Sequence, residues 1–262
     1  MRKLGMSFVT AFSLYSRIPM PQIQWKKDDQ KYCLCAFPFI GIVIGLVQIL
    51  LQYFAESRLA WKDTVIAVIL AIVPVLVTGG IHVDGFMDTC DAKSSFGDKE
   101  KKRQILSDPH IGAFAVIQLV VFIALYMVGM WNAMDFLAAR EGMYFLTITF
   151  VYSRVLSGLL SVTVEKAKKD GMLAEVVADN GKSTIQKILV LEGLLCIAGM
   201  LALNMTIGGC LVAATLIYLF LYGHSIQKEF GGVTGDLAGY LLCMTELISI
   251  LVIALCYGLG WC

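Results

Sequence analysis

The chain alternates between long apolar stretches and short polar segments. Seven stretches are rich in Ile, Leu, Val, Phe and Ala, and each is as long, or nearly as long, as a helix that crosses a bilayer, about 20 residues. They lie at 34–54, 64–80, 112–131, 143–164, 188–204, 207–223 and 238–257. This pattern predicts an all-α, polytopic membrane bundle of about seven transmembrane helices.

Two details refine that prediction. Residues 4–16 are apolar but too short to span, so we expect an interfacial or re-entrant N-terminal helix that ends at "RIPMP". Almost nothing separates 188–204 from 207–223, which predicts a tight helical hairpin. Without a convincing repeat or a separate soluble segment, we interpret residues 1–262 as a single membrane domain.

Composition agrees with a membrane class and narrows the partners. Hydrophobic residues make up 58% of the chain and charged residues 16%, below the roughly 25% of soluble domains. The lipid bilayer is therefore the expected surrounding. The formal net charge of +1 gives no electrostatic reason to expect a nucleic-acid partner. The oligomeric state stays open, a homo-oligomer included. No cleavable signal peptide is expected.

The eight cysteines are scattered and include no CxxC pair. Several fall within apolar stretches, where a free cysteine behaves as a small hydrophobic residue. We therefore expect reduced packing residues, and we set aside the CxC at Cys33 and Cys35 as a weak metal signal.

Lys and Arg residues predict the orientation. With the N-terminus in the cytoplasm, the cytoplasmic segments hold 17 basic residues and the opposite segments hold 3. This bias follows the positive-inside rule. It places the C-terminus outside and every histidine and acidic motif discussed below on the cytoplasmic side.

The segment "GGIHVDGFMDTCDAKSSFGD" begins at Gly79, where an apolar stretch ends. On a helix Asp88 lies about 40° from Asp84 and Asp91 about 20° to its other side, so the three carboxylates share one face. Carboxylates without thiolates favour a hard cation such as Mg²⁺. Capping of a helix end explains one or two of these aspartates, but three on one face favour a site. The glycines there, Gly79, Gly80 and Gly85, are expected to let a ligand approach the backbone.

A second glycine-rich segment, "GGVTGDLAGYLLCMTE", runs from Gly231 to Glu246. It fits either a site that includes Asp236 or a plain helix start with Thr234 or Asp236 as N-cap. Glu246 falls within a span, where carboxylates usually face a cavity or a partner.

Arg154 is the one cationic residue within a predicted span. It is either a snorkelling residue, half of an ion pair with Glu192 or Glu246, or a clamp on a phosphate. Arg17 has a similar ambiguity. Lys166, Lys168 and Lys169 are expected to follow the positive-inside rule rather than to take part in catalysis.

Lone histidines near an interface often have no special role. Of the three, His82, His110 and His224, we favour His82 as a ligand orienter or proton carrier because it lies two residues from Asp84.

Six ordered motifs, "FSLYSRIPMP", "FPFIGIVIG", "GGIHVDGFMDTCD", "DPHIGAFAV", "YSR" and "GGVTGDLAG", resemble the cobalamin synthase family (adenosylcobinamide-GDP ribazoletransferase). They extend from residue 12 to about residue 246. The resemblance implies a Mg²⁺-dependent membrane transferase that joins adenosylcobinamide-GDP to α-ribazole, or to its 5′-phosphate, and releases GMP. Its aspartate-rich motif also looks like that of CDP-alcohol phosphotransferases.

The family's first motif falls on His82, Asp84, Gly85, Asp88 and Asp91, its second acidic motif on Asp108, and its third on Thr234, Gly235 and Asp236. By this resemblance the catalytic set is His82, Asp84, Asp88, Asp91 and Asp236. Metal ligands are expected among Asp84, Asp88, Asp91, Asp108 and Asp236. Substrate contacts are expected at Gly79, Gly80, Gly85, Arg17, Arg154, His110, Thr234 and Gly235.

The chain departs from the family pattern at Ala92 and Lys93, where a glycine is common, and at His110 and Tyr240. In the expected reaction a metal offsets the pyrophosphate charge, and either an aspartate or His82 takes the hydroxyl proton. The site is expected at the cytoplasmic face of the cell's inner membrane. A cation- or proton-coupled transporter is the alternative, since Glu192, Glu246 and Arg154 could form a relay.

Overall fold

A computed structural model describes residues 2–21, 32–59, 61–167 and 181–261, with the side chains of 2–4 left out. Lys168, Lys169 and Cys262 lie outside these ranges. The helices are α1 Arg2–Tyr15, α2 Cys33–Ala36, α3 Pro38–Phe54, α4 Asp63–Thr78, α5 Ile81–Ser94, α6 Lys99–Ile105, α7 Ala113–Asn132, α8 Met134–Leu137, α9 Arg140–Thr163, α10 Lys182–Leu203, α11 Met205–Glu229 and α12 Gly235–Gly258. A π-helical turn, Ala55–Leu59, continues α3.

Each of the seven apolar stretches forms a helix, which confirms the predicted helical membrane bundle. Six helical segments of the described chain are long and apolar enough to cross a bilayer, the first of them running from Cys33 to Leu59. The seventh stretch forms α4, which has only 16 residues. It counts as a span only together with α5, and the two helices meet at an angle of 93°. The short N-terminal helix is α1.

The bend between α4 and α5 is made by two glycines. Gly79 has φ 67° and Gly80 has φ 81°, a left-handed conformation that glycine adopts without the steric cost other residues meet. The backbone N–H of Arg17 donates to the carbonyl of Val77 at 2.8 Å, which holds the segment after α1 against the end of α4. As a result α5 turns sharply away from the axis of α4 and carries its aspartates along the side of the bundle.

The centre of the bundle is formed by α9 and α12, the most buried of the spans. Helix α3 packs closely on α9 because its glycines leave room. A methyl group at Gly41 would lie 2.6 Å from the backbone of Phe150, and one at Gly45 would collide with Thr147. Small residues at such crossings allow the close backbone approach on which helix association in a bilayer depends.

Helices α10 and α11 form the predicted tight hairpin. Asn204 alone separates them, and its side chain accepts a hydrogen bond from Ile207 N at 2.9 Å. This asparagine caps the start of α11. Both helices are largely exposed on the outside of the bundle, as expected of surfaces that face lipid.

The cysteines of the described chain are free, as expected, and most are buried in the bundle.

Candidate active site

Helix α5 carries the aspartate-rich motif. It is helical from Ile81 to Ser94, so the prediction that Asp84, Asp88 and Asp91 lie on one helix is confirmed. The helix mixes these aspartates with apolar side chains, of which Phe86 and Cys90 are buried against Cys243 of α12.

Helix α12 begins beside α5 and brings the second motif to the first. A methyl group at Gly85 would lie 2.8 Å from Asp236 Cα, so this glycine allows the two helices to touch. Gly85 therefore has a packing role, where the sequence suggested room for a ligand. The contact places Asp236, in the first turn of α12, next to the aspartates of α5.

A cleft of about 260 Å³ opens at this contact. Asp84 and His82 line it from α5, and Asp236 and Gly235 line it from α12. Tyr15, which follows the apolar part of α1, lines it as well. Motifs from both ends and the middle of the chain thus share one cleft, as expected if they form a single site.

The charges of the other aspartates shift the pKa of Asp88. Burial first, and then the carboxylates of Asp84, Asp236 and Asp91, raise the pKa of Asp88 to about 6. Mutual repulsion of this kind marks a place where a cation would be stabilised. No group of three or more His, Cys, Asp or Glu within the described ranges could hold a metal ion as it stands.

Asp91 faces a different partner from the other aspartates. Its carboxylate accepts hydrogen bonds from Gly112 N and, at 2.9 Å, from Ala115 N at the start of α7. These N–H groups have no partner within their own helix, so Asp91 caps α7 from a distance of more than twenty residues in sequence. Asp91 therefore has a structural role that the sequence did not suggest, beside its expected role as a metal ligand.

Asp108 and His110 lie on the segment between α6 and α7, and neither lines the cleft. They contact each other: Asp108 accepts from His110 N at 2.9 Å and pairs with His110 Nδ1 at 2.7 Å. These bonds lower the pKa of Asp108. Both side chains are well exposed. The structure does not bring either residue to Asp84 and Asp236.

His82 lies at the inner wall of the cleft. The residue is 7% exposed, and its ring lies beside an aromatic pair, with centroids 5.5 Å from Phe37 and 6.3 Å from Tyr15. Neither ring nitrogen has a hydrogen-bond partner in the described chain. Arg17 is exposed, and its side chain packs across Gly79 at the α4–α5 bend. It therefore lies near the site without lining the cleft.

Arg154 forms a buried ion pair. Its guanidinium donates to Glu246 Oε1 at 2.7 Å and to the carbonyl of Phe150, also at 2.7 Å. The side chains are 1% and 7% exposed. This confirms the ion-pair interpretation, with Glu246 rather than Glu192 as partner. Arg154 is not among the residues that line the cleft, so the structure does not give it the substrate contact that was also considered.

Thr234 caps α12. Its side chain accepts a hydrogen bond from Leu237 N at 3.3 Å, which confirms the helix-start interpretation for Thr234 and leaves Asp236 in the first turn without the capping task. Gly232 packs against the chain itself, since a methyl group there would collide with the carbonyl of Glu165. Gly235 is exposed, and a methyl group there would meet nothing within 4 Å.

Sequence reasoning missed Ser157 and Ser161, which line the cleft from α9. Ser157 also donates to the carbonyl of Ala238 at 2.9 Å, which ties α9 to α12. A signal was present, because Arg154, Ser157 and Ser161 recur at the spacing of one helix face within an otherwise apolar span.

Comparison with known proteins identifies the family. A family model described as cobalamin-5-phosphate synthase matches residues 7–254. Curated relatives of this chain carry the name adenosylcobinamide-GDP ribazoletransferase, among them the three that follow. The Lachnoclostridium phytofermentans protein is 39% identical over 95% of this chain and 93% of its own length. A Clostridium perfringens protein is 31% identical over 93% and 95%, and a Clostridium botulinum protein is 31% identical over 95% and 97%. No solved structure matches. The chain belongs to the cobalamin-5-phosphate synthase family.

Proposed function

We propose that this protein is a Mg²⁺-dependent transferase that joins adenosylcobinamide-GDP to α-ribazole, or to α-ribazole 5′-phosphate, with release of GMP. The observation that carries the proposal is the single cleft lined by both Asp84 and Asp236, from two separate motifs. The family match and the names of the relatives favour a transferase over the coupled transporter.

The residues at the cleft fit a magnesium ion. Asp84 and Asp236 line the cleft, and Asp88 lies one helical turn beyond Asp84. Mg²⁺ in proteins commonly uses one or two carboxylates together with substrate phosphates and water, rather than a complete protein cage. This explains why a site for such an ion need not be complete in the protein alone. Bound there, the ion would offset the charge that develops on the pyrophosphate as GMP leaves.

The chain's own residues supply position and proton transfer. Asp84, Asp88 and Asp236 hold the cation, and the exposed Gly235 gives the pyrophosphate access to the start of α12, where the helix dipole favours an anion. The proton of the attacking ribazole hydroxyl passes either to an aspartate of this cluster or to His82, both of which line the cleft. The phosphoryl group attached to cobinamide passes from the anhydride oxygen of the departing GMP to the ribazole hydroxyl oxygen, a transfer that needs alignment more than covalent help from the protein.

The activity is tested by measuring GMP release from the purified protein supplied with adenosylcobinamide-GDP and α-ribazole. Turnover should disappear with EDTA and return with Mg²⁺. Asp236→Asn should remove it, while Asp63→Asn, an exposed aspartate in the first turn of α4, should leave it unchanged. Transfer that continues at full rate in EDTA would exclude the metal, and absence of GMP with both substrates would exclude the reaction.

We further propose that the cleft faces the cytoplasm across the cell's inner membrane. The support is the distribution of 17 basic residues on one side and 3 on the other. The test is thiol labelling of the C-terminal Cys262 in right-side-out vesicles, in a variant whose other cysteines are serine. An impermeant reagent should label it from outside. Labelling from the cytoplasmic side alone would reverse the orientation.

A further inference from the structure

A second, smaller cavity lies beside the active-site cleft, and His82 lines both. The centres of water molecules can occupy about 40 Å³ of it. Helices α4, α5, α7, α9 and α12 all contribute to its wall. Besides apolar residues, the wall includes His82, Tyr126, Arg154 and Glu246.

Several polar atoms of these residues have no partner. His82 Nδ1 and Nε2, the hydroxyl of Tyr126 and Arg154 Nε are all buried, and none of them makes a hydrogen bond in the described part of the chain. The three residues that carry these atoms are at most 7% exposed. Native proteins leave very few buried polar groups unpaired, and ordered water commonly satisfies the remainder.

The cavity has room for the missing partner. One water molecule needs roughly 10–15 Å³ of such space and two to four polar neighbours. We propose that ordered water fills this cavity, bonds to His82, Tyr126 and the Arg154–Glu246 pair, and so fixes the orientation of the His82 ring at the cleft. Tyr126, Arg154 and Glu246 are then positioning residues that act through His82.

Aromatic packing alone cannot give that orientation. Tyr15 and Phe37 pack against each other with centroids 4.6 Å apart, and both lie on the same side of the His82 ring, with centroids 6.3 Å and 5.5 Å away. Such contacts hold the ring plane but distinguish poorly between its two flipped states, in which the nitrogens exchange places with carbons. A hydrogen bond to one nitrogen removes this degeneracy, since it fixes which edge faces the cleft.

The inference also accounts for the ion pair within the span. Two opposite charges in a bilayer are costly unless well paired and hydrogen-bonded, and replacing such a pair with apolar residues is often neutral. A purely structural pair needs no cavity beside it. Here Glu246, near the middle of α12, lines the cavity beside its ion pair with Arg154.

The first test needs no turnover. The chain has three histidines, so the full protein labelled with ¹⁵N-histidine gives few ring signals, which His110→Gln and His224→Gln assign. Removal of the cavity hydroxyl in Tyr126→Phe should shift the His82 ring nitrogens. Tyr152→Phe is the matched control: Tyr152 is a fully buried tyrosine of α9 that does not line this cavity, and it should leave the signals unchanged. Unmoved His82 signals in Tyr126→Phe would overturn the proposal.

The second test is structural and kinetic. A high-resolution structure of the full protein should show water density between His82 and Glu246, and a dry cavity would overturn the proposal. In GMP release, Tyr126→Phe should lower kcat on the order of tenfold with KM little changed, as is usual when a residue behind a catalytic group is lost. An equal loss of kcat in Tyr152→Phe would show a merely structural effect and contradict the positioning role.

The positioning role rests on the proposed function, but the hydration does not. If wild-type protein releases no GMP while the cavity holds water and His82 responds to Tyr126→Phe, the proposed reaction fails and the hydrated site stands. If GMP is released normally and the cavity is dry, the proposed function stands and this inference fails.

Discussion

At the scale of single residues, the charge of the Asp88 carboxylate is expected to lower the stability of the metal-free protein and to be needed for activity. Burial and three neighbouring carboxylates raise its pKa to about 6, above the usual value near 4. The folded protein without metal therefore holds this proton more tightly than the unfolded chain does. The contribution of Asp88 to stability is full below about pH 4 and is lost as pH rises through about 6.

The first prediction concerns the removal of the charge of Asp88. Asp88→Asn should raise the Tm of the protein in EDTA at pH 7.5, because it removes one of the repelling charges, and the gain should vanish near pH 4. The same variant should lose at least about 100-fold in GMP release at saturating Mg²⁺, since a cation held by carboxylates needs their charge. A Tm in EDTA that falls at pH 7.5 would contradict the electrostatic account.

Asp91 leads to the opposite prediction. Its oxygens accept from Gly112 N and Ala115 N at the start of α7, so Asp91→Ala should destabilise the protein by about 1 kcal/mol, the usual effect of a lost cap. Asp91→Asn should recover part of that loss, because an amide oxygen can still accept. Thermal unfolding in EDTA measures both. If Asp91→Ala leaves Tm unchanged and abolishes only turnover, the capping role is wrong.

The sequence could predict the shared face of Asp84, Asp88 and Asp91 because helical spacing is a local property. It could not predict that Asp91 turns toward α7, more than twenty residues away, because that contact depends on how two helices meet. For the same reason, the sequence could not tell whether Glu246 or Glu192 pairs with Arg154. Both are intramembrane carboxylates, and only the packing of α12 against α9 decides between them.

At the scale of helices, the contact between α5 and α12 controls the site, and Gly85 allows it. In Gly85→Ala the new methyl group would lie 2.8 Å from Asp236 Cα, which is backbone and cannot rotate aside. We expect a loss of about 1–3 kcal/mol in stability and a large fall in GMP release as the helices separate. Gly209→Ala on α11 is the control, because a methyl group there meets nothing within 4 Å. Equal effects of the two changes would contradict a specific contact.

The start of α12 divides two tasks between neighbouring residues. Thr234 makes the cap, so Thr234→Ala should destabilise the protein by about 1 kcal/mol. Asp236 lines the cleft, so Asp236→Asn should lower kcat far more than it lowers Tm. Unfolding curves and GMP release for the two variants give the comparison. If Asp236→Asn lost stability and turnover in equal measure, the helix-start interpretation would extend to Asp236 and its role in the cleft would fall.

The helices themselves were predictable, since each of the seven apolar stretches forms one. The sharp turn after α4 could not be predicted, although the sequence shows its two glycines. A pair of glycines in a sequence is compatible with a ligand-contacting loop, and the left-handed conformations of Gly79 and Gly80 become visible only in three dimensions. The apolar pattern gives the length of a helix but not the direction of the next one.

At the scale of the whole molecule, six ordered motifs predicted a family that the comparisons confirm. His82, Asp84 and Asp236 line one cleft, and their expected roles in catalysis and metal binding stay predictions. Asp108 and His110 pair with each other on an exposed segment and Arg154 pairs with Glu246, contacts that the sequence did not decide. A family resemblance indicates which residues to expect at a site, but only the packing of the helices shows which of them line the same cleft.

The position of Asp236 on the last helix also bears on the order in which the protein is made. A membrane chain is inserted as it leaves the ribosome, and the wall that Tyr15 and Asp84 contribute is complete long before residue 236 is synthesised. The other wall arrives only with α12. A nascent chain without α12 therefore lacks that wall of the cleft, so the proposed binding of metal and substrate becomes possible only once α12 is in place.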